Sequence, residues 1–236
     1  MNVAACISGQ LRFFEKSFEL LQTNFLNLYH PDVFIHTWYN PAFENRQFES
    51  SHTKASQGSY SSNDLNKCIL LYNPKCIAVS EPTNFYSFKI GSRENNACSM
   101  FYSIYSANNL KQNYETKNDK KYDWVFRLRF DWAYSNKVDL SLLDTAYVYV
   151  PDADQTTSNP NNLHINDQFA IGSSENMDIY SNAFLHASTV STQGNENILY
   201  NTLISNNIAV KTLDWQHCFP PNDFYGTGSP NSLFRQ

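Results

Sequence analysis

The first 80 residues alternate between short apolar runs and longer stretches with helical spacing. Val3–Ser8 is apolar and ends at Gly9-Gln10. Ser17–Tyr29 then places Phe18, Leu21, Phe25 and Leu28 at three- and four-residue steps, which predicts a helix. Asp32–Trp38 reads as a second strand, and Arg46–Ser61, rich in Ser and Gln, as a mobile loop. Ser62–Tyr72 is a helix with Ser62 as N-cap and Pro74 as its stop, followed by a third strand at Cys76–Ser80.

The longest helix is expected over about Asn96–Glu115, with Met100, Ile104, Ala107, Leu110 and Tyr114 on its buried face. It leads into the strand Trp124–Asp131. Further strands are expected at Ala146–Val150, Gln168–Ile171 and Ile208–Leu213, and helices near Glu175–Phe184 and Glu196–Asn206. Asp152–Asn162 and the tail from Cys218 read as irregular. Repeated β-α-β units imply right-handed crossovers, so the expected fold class is α/β: one α/β/α domain with a mainly parallel central sheet. In such sheets ligands bind beyond the carboxyl ends of the strands, which directs attention to residues there.

Composition narrows the function classes. The chain has 236 residues, enough for one substantial core, with 42% hydrophobic and 17% charged residues, as in globular proteins. Its net charge of −5, without a basic run, argues against nucleic acid as a partner. No apolar run approaches the ~20 residues of a transmembrane segment. The five cysteines (Cys6, Cys68, Cys76, Cys98 and Cys218) include no C-x-x-C pair, and no Asn-x-Ser/Thr sequon occurs. Both features, with the absence of a signal-peptide pattern at the start, point to a cytoplasmic setting.

The strongest candidate chemistry is in Trp124-Val125-Phe126-Arg127-Leu128-Arg129-Phe130-Asp131. Alternation puts Arg127, Arg129 and Asp131 on one face. Two arginines on an interior strand imply either an internal Arg–Asp salt-bridge ladder or a site for phosphate or carboxylate, with Asp131 available to a cation or a ribose hydroxyl. Ser8-Gly9-Gln10-Leu11-Arg12 is either an ordinary strand-to-helix turn or a place where an anion approaches the backbone. His36 and Trp38, at the end of the second strand, either pack inside or stack on a base or sugar at the cleft rim. Asp167 is either a turn residue or a general base for an acceptor hydroxyl. Asp152-Ala153-Asp154 is a literal D-x-D in a polar loop, and His217 either folds back over the cleft, where it would be a metal ligand, or lies on the surface. H-E-x-x-H, G-x-x-x-x-G-K-[ST] and zinc spacings are absent.

Taken in order, Ile7–Arg12, Val33–Trp38, Tyr122–Asp131 and Asn166–Gly172 resemble glycosyltransferase-like proteins of the GT-A type from bacterial polysaccharide clusters and large viruses. The resemblance spans nearly the whole chain, although each motif is short. It implies a nucleotide-diphosphate sugar (UDP- or GDP-linked) bound by residues 1–131 and a glycan acceptor bound by residues 132–236. Ser8, Gly9, Arg12, His36, Trp38, Arg127, Arg129 and Asp131 would then contact the donor, and Asp167 would serve as base in an inverting transfer. The family's D-x-D motif, which holds Mn²⁺ or Mg²⁺, falls where this chain reads Arg129-Phe130-Asp131. The missing first acid makes a divalent cofactor doubtful. The alternatives are a non-catalytic carbohydrate- or nucleotide-binding protein and a different α/β enzyme acting on phosphate esters, which would need more clustered acids.

Overall fold

The computed structural model describes residues 1–48, 58–132, 137–151 and 165–213. In chain order its elements are β1 (Val3–Gly9), α1 (Phe14–Leu21), α2 (Asn27–Tyr29), β2 (Asp32–Trp38), α3 (Ser62–Tyr72), β3 (Cys76–Ser80), α4 (Arg93–Lys117) and β4 (Trp124–Arg129). They continue as β5 (Tyr147–Pro151), β6 (Ala170–Gly172), α5 (Ser174–Ser181), α6 (Val190–Gln193), α7 (Asn195–Ile204) and β7 (Ala209–Leu213). Short 3-10 segments occur at Pro41–Phe43, Leu140–Leu142 and Asn182–Thr189.

Among the described residues the strands form one seven-stranded sheet in the order β3-β2-β1-β4-β6-β5-β7. Pairing is parallel for β1–β2, β2–β3, β1–β4 and β5–β7, and β6 alone runs against its neighbours β4 and β5. The α/β, mainly parallel architecture expected from the alternation is therefore present. Val3 to Ile7 are all buried, as a central strand covered by helices on both faces requires. One face packs Ala5, Ile7, Val33, Ile35, Phe126 and Leu128 against α1 and α3 through Phe14, Leu21, Cys68 and Tyr72. The other packs Ala4, Cys6, Phe34 and Val125 against α4, α5 and α7 through Phe101, Ile104, Met177, Ile198 and Leu199.

Several element boundaries differ from the sequence expectation for identifiable reasons. The first helix begins at Phe14 rather than Ser17, and a π turn at Gln22–Leu26 separates α1 from α2. Ser61, not Ser62, caps α3 by accepting from the Asp64 amide at 3.2 Å. Ser92 caps α4 in the same way at Asn95 (3.1 Å), which starts that helix three residues early. The buried residues of α4 are Asn95, Ala97, Cys98, Phe101, Ser103, Ile104, Ala107, Asn108, Lys111 and Glu115, so Ile104 and Ala107 are covered as expected, whereas Met100, Leu110 and Tyr114 are only partly covered. Five of those ten side chains (Asn95, Ser103, Asn108, Lys111 and Glu115) are polar, which is why a hydrophobic pattern shifts the expected face. The ends of the Arg46–Ser61 loop are packed rather than mobile. Gln47 and Ser59 form a β-bridge, and Phe48 and Tyr60 are buried against Trp38.

The buried polar end of α4 is an ion network. Lys111 is fully enclosed and meets Asp178 at 2.6 Å, Glu115 at 3.1 Å and the Ser174 hydroxyl. Ser174 donates to Glu115 at 2.7 Å, and the Tyr122 amide donates to the same carboxylate at 3.0 Å. The network ties α4 to α5 and to the entry of β4, at the end of the sheet opposite the strand carboxyl termini.

Candidate functional site

β1 is the point where the sheet order reverses: the chain steps outward to β2 and β3 on one side and returns to β4 on the other. A crevice at the carboxyl ends of the two flanking strands follows from that geometry, and the loops after β1 and β4 border it. Gly9 ends β1 with φ 124°, a backbone conformation open to glycine and strained for other residues. Among the described residues, a Cβ added there would meet no heavy atom within 4 Å. The Thr37 hydroxyl donates to the Gly9 carbonyl at 2.9 Å and fixes the turn to β2.

Arg12 and Arg129 converge here on Asp131. The Arg129 Nε and one terminal nitrogen donate to the two Asp131 oxygens, each at 2.8 Å, in the bidentate geometry of a guanidinium fork. A terminal nitrogen of Arg12 reaches Asp131 Oδ2 at 3.1 Å. Asp131 is 8% exposed, whereas Arg12 and Arg129 remain 20% and 25% exposed and so border solvent. Burial works to raise the Asp131 carboxyl, but the charges of Arg129 and Arg12 and the Arg129 hydrogen bonds outweigh it, holding it well below the usual carboxylate range.

Arg127 and Arg129 share one face of β4, as expected, opposite the face that packs Phe126 and Leu128 into the core. Strand β4 ends at Arg129, and Asp131 lies in the turn beyond it. Arg127 is buried below the crevice, where it donates to the Gln168 carbonyl and braces the segment entering β6. The internal ion-pair reading is the one observed here, for Arg129 and Asp131. The pair lies at the carboxyl end of β4.

Asp167 lies at the same end of the sheet. Arg127 is opposite Ala170 in the antiparallel β4–β6 pairing. Three residues back along one strand and two forward along the other bring Asp167 and Arg129 to a similar level. Asp167 is half-buried and accepts from the Asn195 side-chain amide at 3.2 Å. Asn195 opens α7 directly after Gly194, so a helix start fixes one carboxylate oxygen.

His36 and Trp38 are corrections to the rim placement. His36 is fully buried, with Nδ1 2.7 Å from the Ser103 hydroxyl and Nε2 2.9 Å from the Ser80 hydroxyl. Both ring nitrogens are engaged inside the protein, and burial lowers its pKa to about 4. Trp38 is 6% exposed, edge-on to His36 and packed with Tyr102 and Phe85. Ser8 is enclosed between them and the cluster: it is opposite His36 across β1–β2 and opposite Arg129 across β1–β4.

Neutral, enclosed His36 makes stability depend on pH. Between the unfolded value near 6.5 and about 4, the unfolded chain binds a proton that the folded protein does not. Acidification through that window is expected to cost roughly 3 kcal/mol, at 1.36 kcal/mol per pKa unit, with the loss levelling off below the folded value. Urea unfolding at stepped pH should show this slope, and His36→Gln should flatten it.

A divalent cation does not fit the Asp131 position. Both carboxylate oxygens are committed to guanidinium groups, and a metal there would sit against two positive charges. No group of three or more His, Cys, Asp or Glu side chains among the described residues is placed to hold a metal. His217 and the Asp152/Asp154 pair lie outside the described residues.

No protein-family model matches the chain, and no curated protein matches it. Among solved structures, it is similar to the crystal structure of a glycosyltransferase involved in the glycosylation of the major capsid of PBCV-1. The similarity covers 91% of this chain and 83% of that one, at 10% sequence identity and a TM-score of 0.42. A likeness at that level does not speak to chemistry. Among the described residues no helix is long and apolar enough to cross a membrane.

Proposed function

We propose that the crevice between β1 and β4 transfers a sugar from a UDP- or GDP-linked donor to a hydroxyl of a glycan acceptor. The observation that carries this reading is the Arg12–Asp131–Arg129 cluster at the reversal point of the sheet, beside Gly9. Such a cluster would place guanidinium groups where the leaving nucleoside diphosphate gains negative charge, and pre-set donors of this kind are a large term in catalysis. The ordered motifs of the sequence support the same reading.

In the proposed reaction Asp167 removes the proton of the acceptor hydroxyl as its oxygen attacks the anomeric carbon. The bond from that carbon to the diphosphate oxygen breaks, and the nucleoside diphosphate leaves with the electron pair. One displacement inverts the anomeric centre. Asn195 holds one Asp167 oxygen and leaves the other for the acceptor, while Arg127 keeps the segment in place from below. Residues 1–131 bind the donor in this scheme and residues 132–236 the acceptor.

A panel of UDP- and GDP-sugars tests the proposal, with calorimetry for binding and product analysis for turnover. One or more donors should bind and release nucleoside diphosphate, faster with an acceptor glycan. Binding without consumption would indicate a non-catalytic nucleotide-sugar protein. Absence of binding at millimolar concentration would refute the donor site.

A further inference from the structure

We propose that the outer edge of β3 pairs with the same edge of a second copy of this chain, antiparallel about Ala78, so that two sheets join into one. Among the described residues β3 ends the sheet order, with β2 on one side and no strand on the other.

The edge lacks the devices that keep such strands apart. Cys76-Ile77-Ala78-Val79-Ser80 holds no charged residue and no proline, and an edge of that kind is a template for another strand. The Lys75 amide donates to the Val33 carbonyl at 2.8 Å, so the backbone groups of Lys75, Ile77 and Val79 turn toward β2 and those of Cys76 and Ala78 turn outward. The Ser80 carbonyl accepts from the Tyr39 amide at 3.0 Å and closes the edge at that end. Pairing can therefore centre on Cys76 or on Ala78.

Charge selects Ala78. Lys75 and Glu81 stand three residues to either side of it and both are exposed, so each Lys75 comes opposite the Glu81 of the second copy. Each keeps a contact in its own copy, Lys75 with Asp32 at 3.5 Å and Glu81 with the Asn40 side-chain amide at 3.0 Å. Centring on Cys76 would set Lys75 opposite Ile77 and take Glu81 out of the ladder. About Ala78, Ile77 instead meets Val79 of the second copy, which is 43% exposed, on the face that α3 covers. The helix adds an apolar side there. Lys67 reaches Glu15 of α1 at 3.3 Å, and Ile69, about 200° further round the helix, lies on the side of α3 away from α1 and toward the edge. A two-fold axis normal to the sheet brings that side of α3 toward its counterpart across the seam.

Sedimentation velocity tests the proposal: the full chain is expected to pass from monomer to dimer over about 1–100 μM, the weak end for protein interfaces. Ala78→Pro removes the outward amide and spares the bonds to β2, because an edge strand accepts proline where its N–H faces solvent. It should weaken the dimer by about 30-fold, the worth of two hydrogen bonds, one lost from each copy. Val79→Lys, which puts a charge on the edge, should weaken it by about tenfold or more. Leu70→Lys, on the solvent side of α3, should leave it unchanged and so separates edge pairing from general stickiness. Circular dichroism checks that the variants fold. In the unmodified protein the Ala78 amide should exchange with deuterium more slowly at high concentration than at low, a readout that needs no variant. A chain that is monomeric at about 100 μM would overturn the proposal, whatever else covers the edge. So would a dimer that both edge variants leave intact, one that Leu70→Lys dissociates, or one whose Ala78 amide exchanges at the same rate at both concentrations.

Discussion

Asp167→Asn is expected to lower the rate of sugar transfer by about 10²–10⁴-fold, the usual contribution of a positioned general base, with donor affinity unchanged. The amide is the same size and can still accept from Asn195, so the segment before β6 should stay in place. What it lacks is the ability to take a proton. Initial rates with the best donor of the panel, alongside calorimetry of that donor, check both halves. Turnover within about threefold of the parent would remove Asp167 from the mechanism. A parallel loss of donor affinity would show instead that it acts on binding.

The largest stability effect is expected at Lys111, far from the crevice. Lys111→Met keeps the volume and removes the charge, leaving the Glu115 and Asp178 carboxylates facing each other in the interior beside Ser174. Removing one partner of a buried ion pair costs about 3–5 kcal/mol. Lys121, 3.6 Å from Glu115 and 3.8 Å from Asp178, retains part of the compensation, so the lower end, about 3 kcal/mol, is expected. For a chain of this size that is a fall of roughly 6–12 °C in Tm. Lys111→Met with Glu115→Gln should recover part of the loss, because the second change removes a carboxylate left without its partner. Denaturant unfolding of the single and double variants measures both. A cost below about 1 kcal/mol would mean the network contributes little to the fold.

The contrast between these two sites shows what a chain of letters makes legible. Strands β2 and β3 and helix α3 fall at the expected residues, because each is a run with a clear period closed by Pro, Asn or Gly. The reversed direction of β6 was not legible: three residues carry no sign of direction, and its pairing with β4 is set by contacts made after the chain has doubled back. The Lys111–Glu115 pair has the i, i+4 spacing of an ordinary surface ion pair on a helix. Only its third partner, Asp178 on α5, reveals it as buried. His36 illustrates the opposite case. A histidine at a strand end invites a functional reading, and nothing local shows that Ser80 and Ser103 will close on both nitrogens.

At the crevice, Arg129 and Asp131 were visible as neighbours on one strand, and Arg12 as an arginine after a glycine turn. Their meeting depends on β1 and β4 lying side by side, which no local pattern records. The parallel register that sets Ser8 opposite Arg129 carries the Arg12 loop over the end of β4 and completes the cluster.

A crystal structure of the protein with UDP or GDP bound tests the central claim most directly. The account predicts the diphosphate above Gly9, beside the Arg12–Asp131–Arg129 cluster. A nucleotide bound elsewhere on the molecule would contradict it.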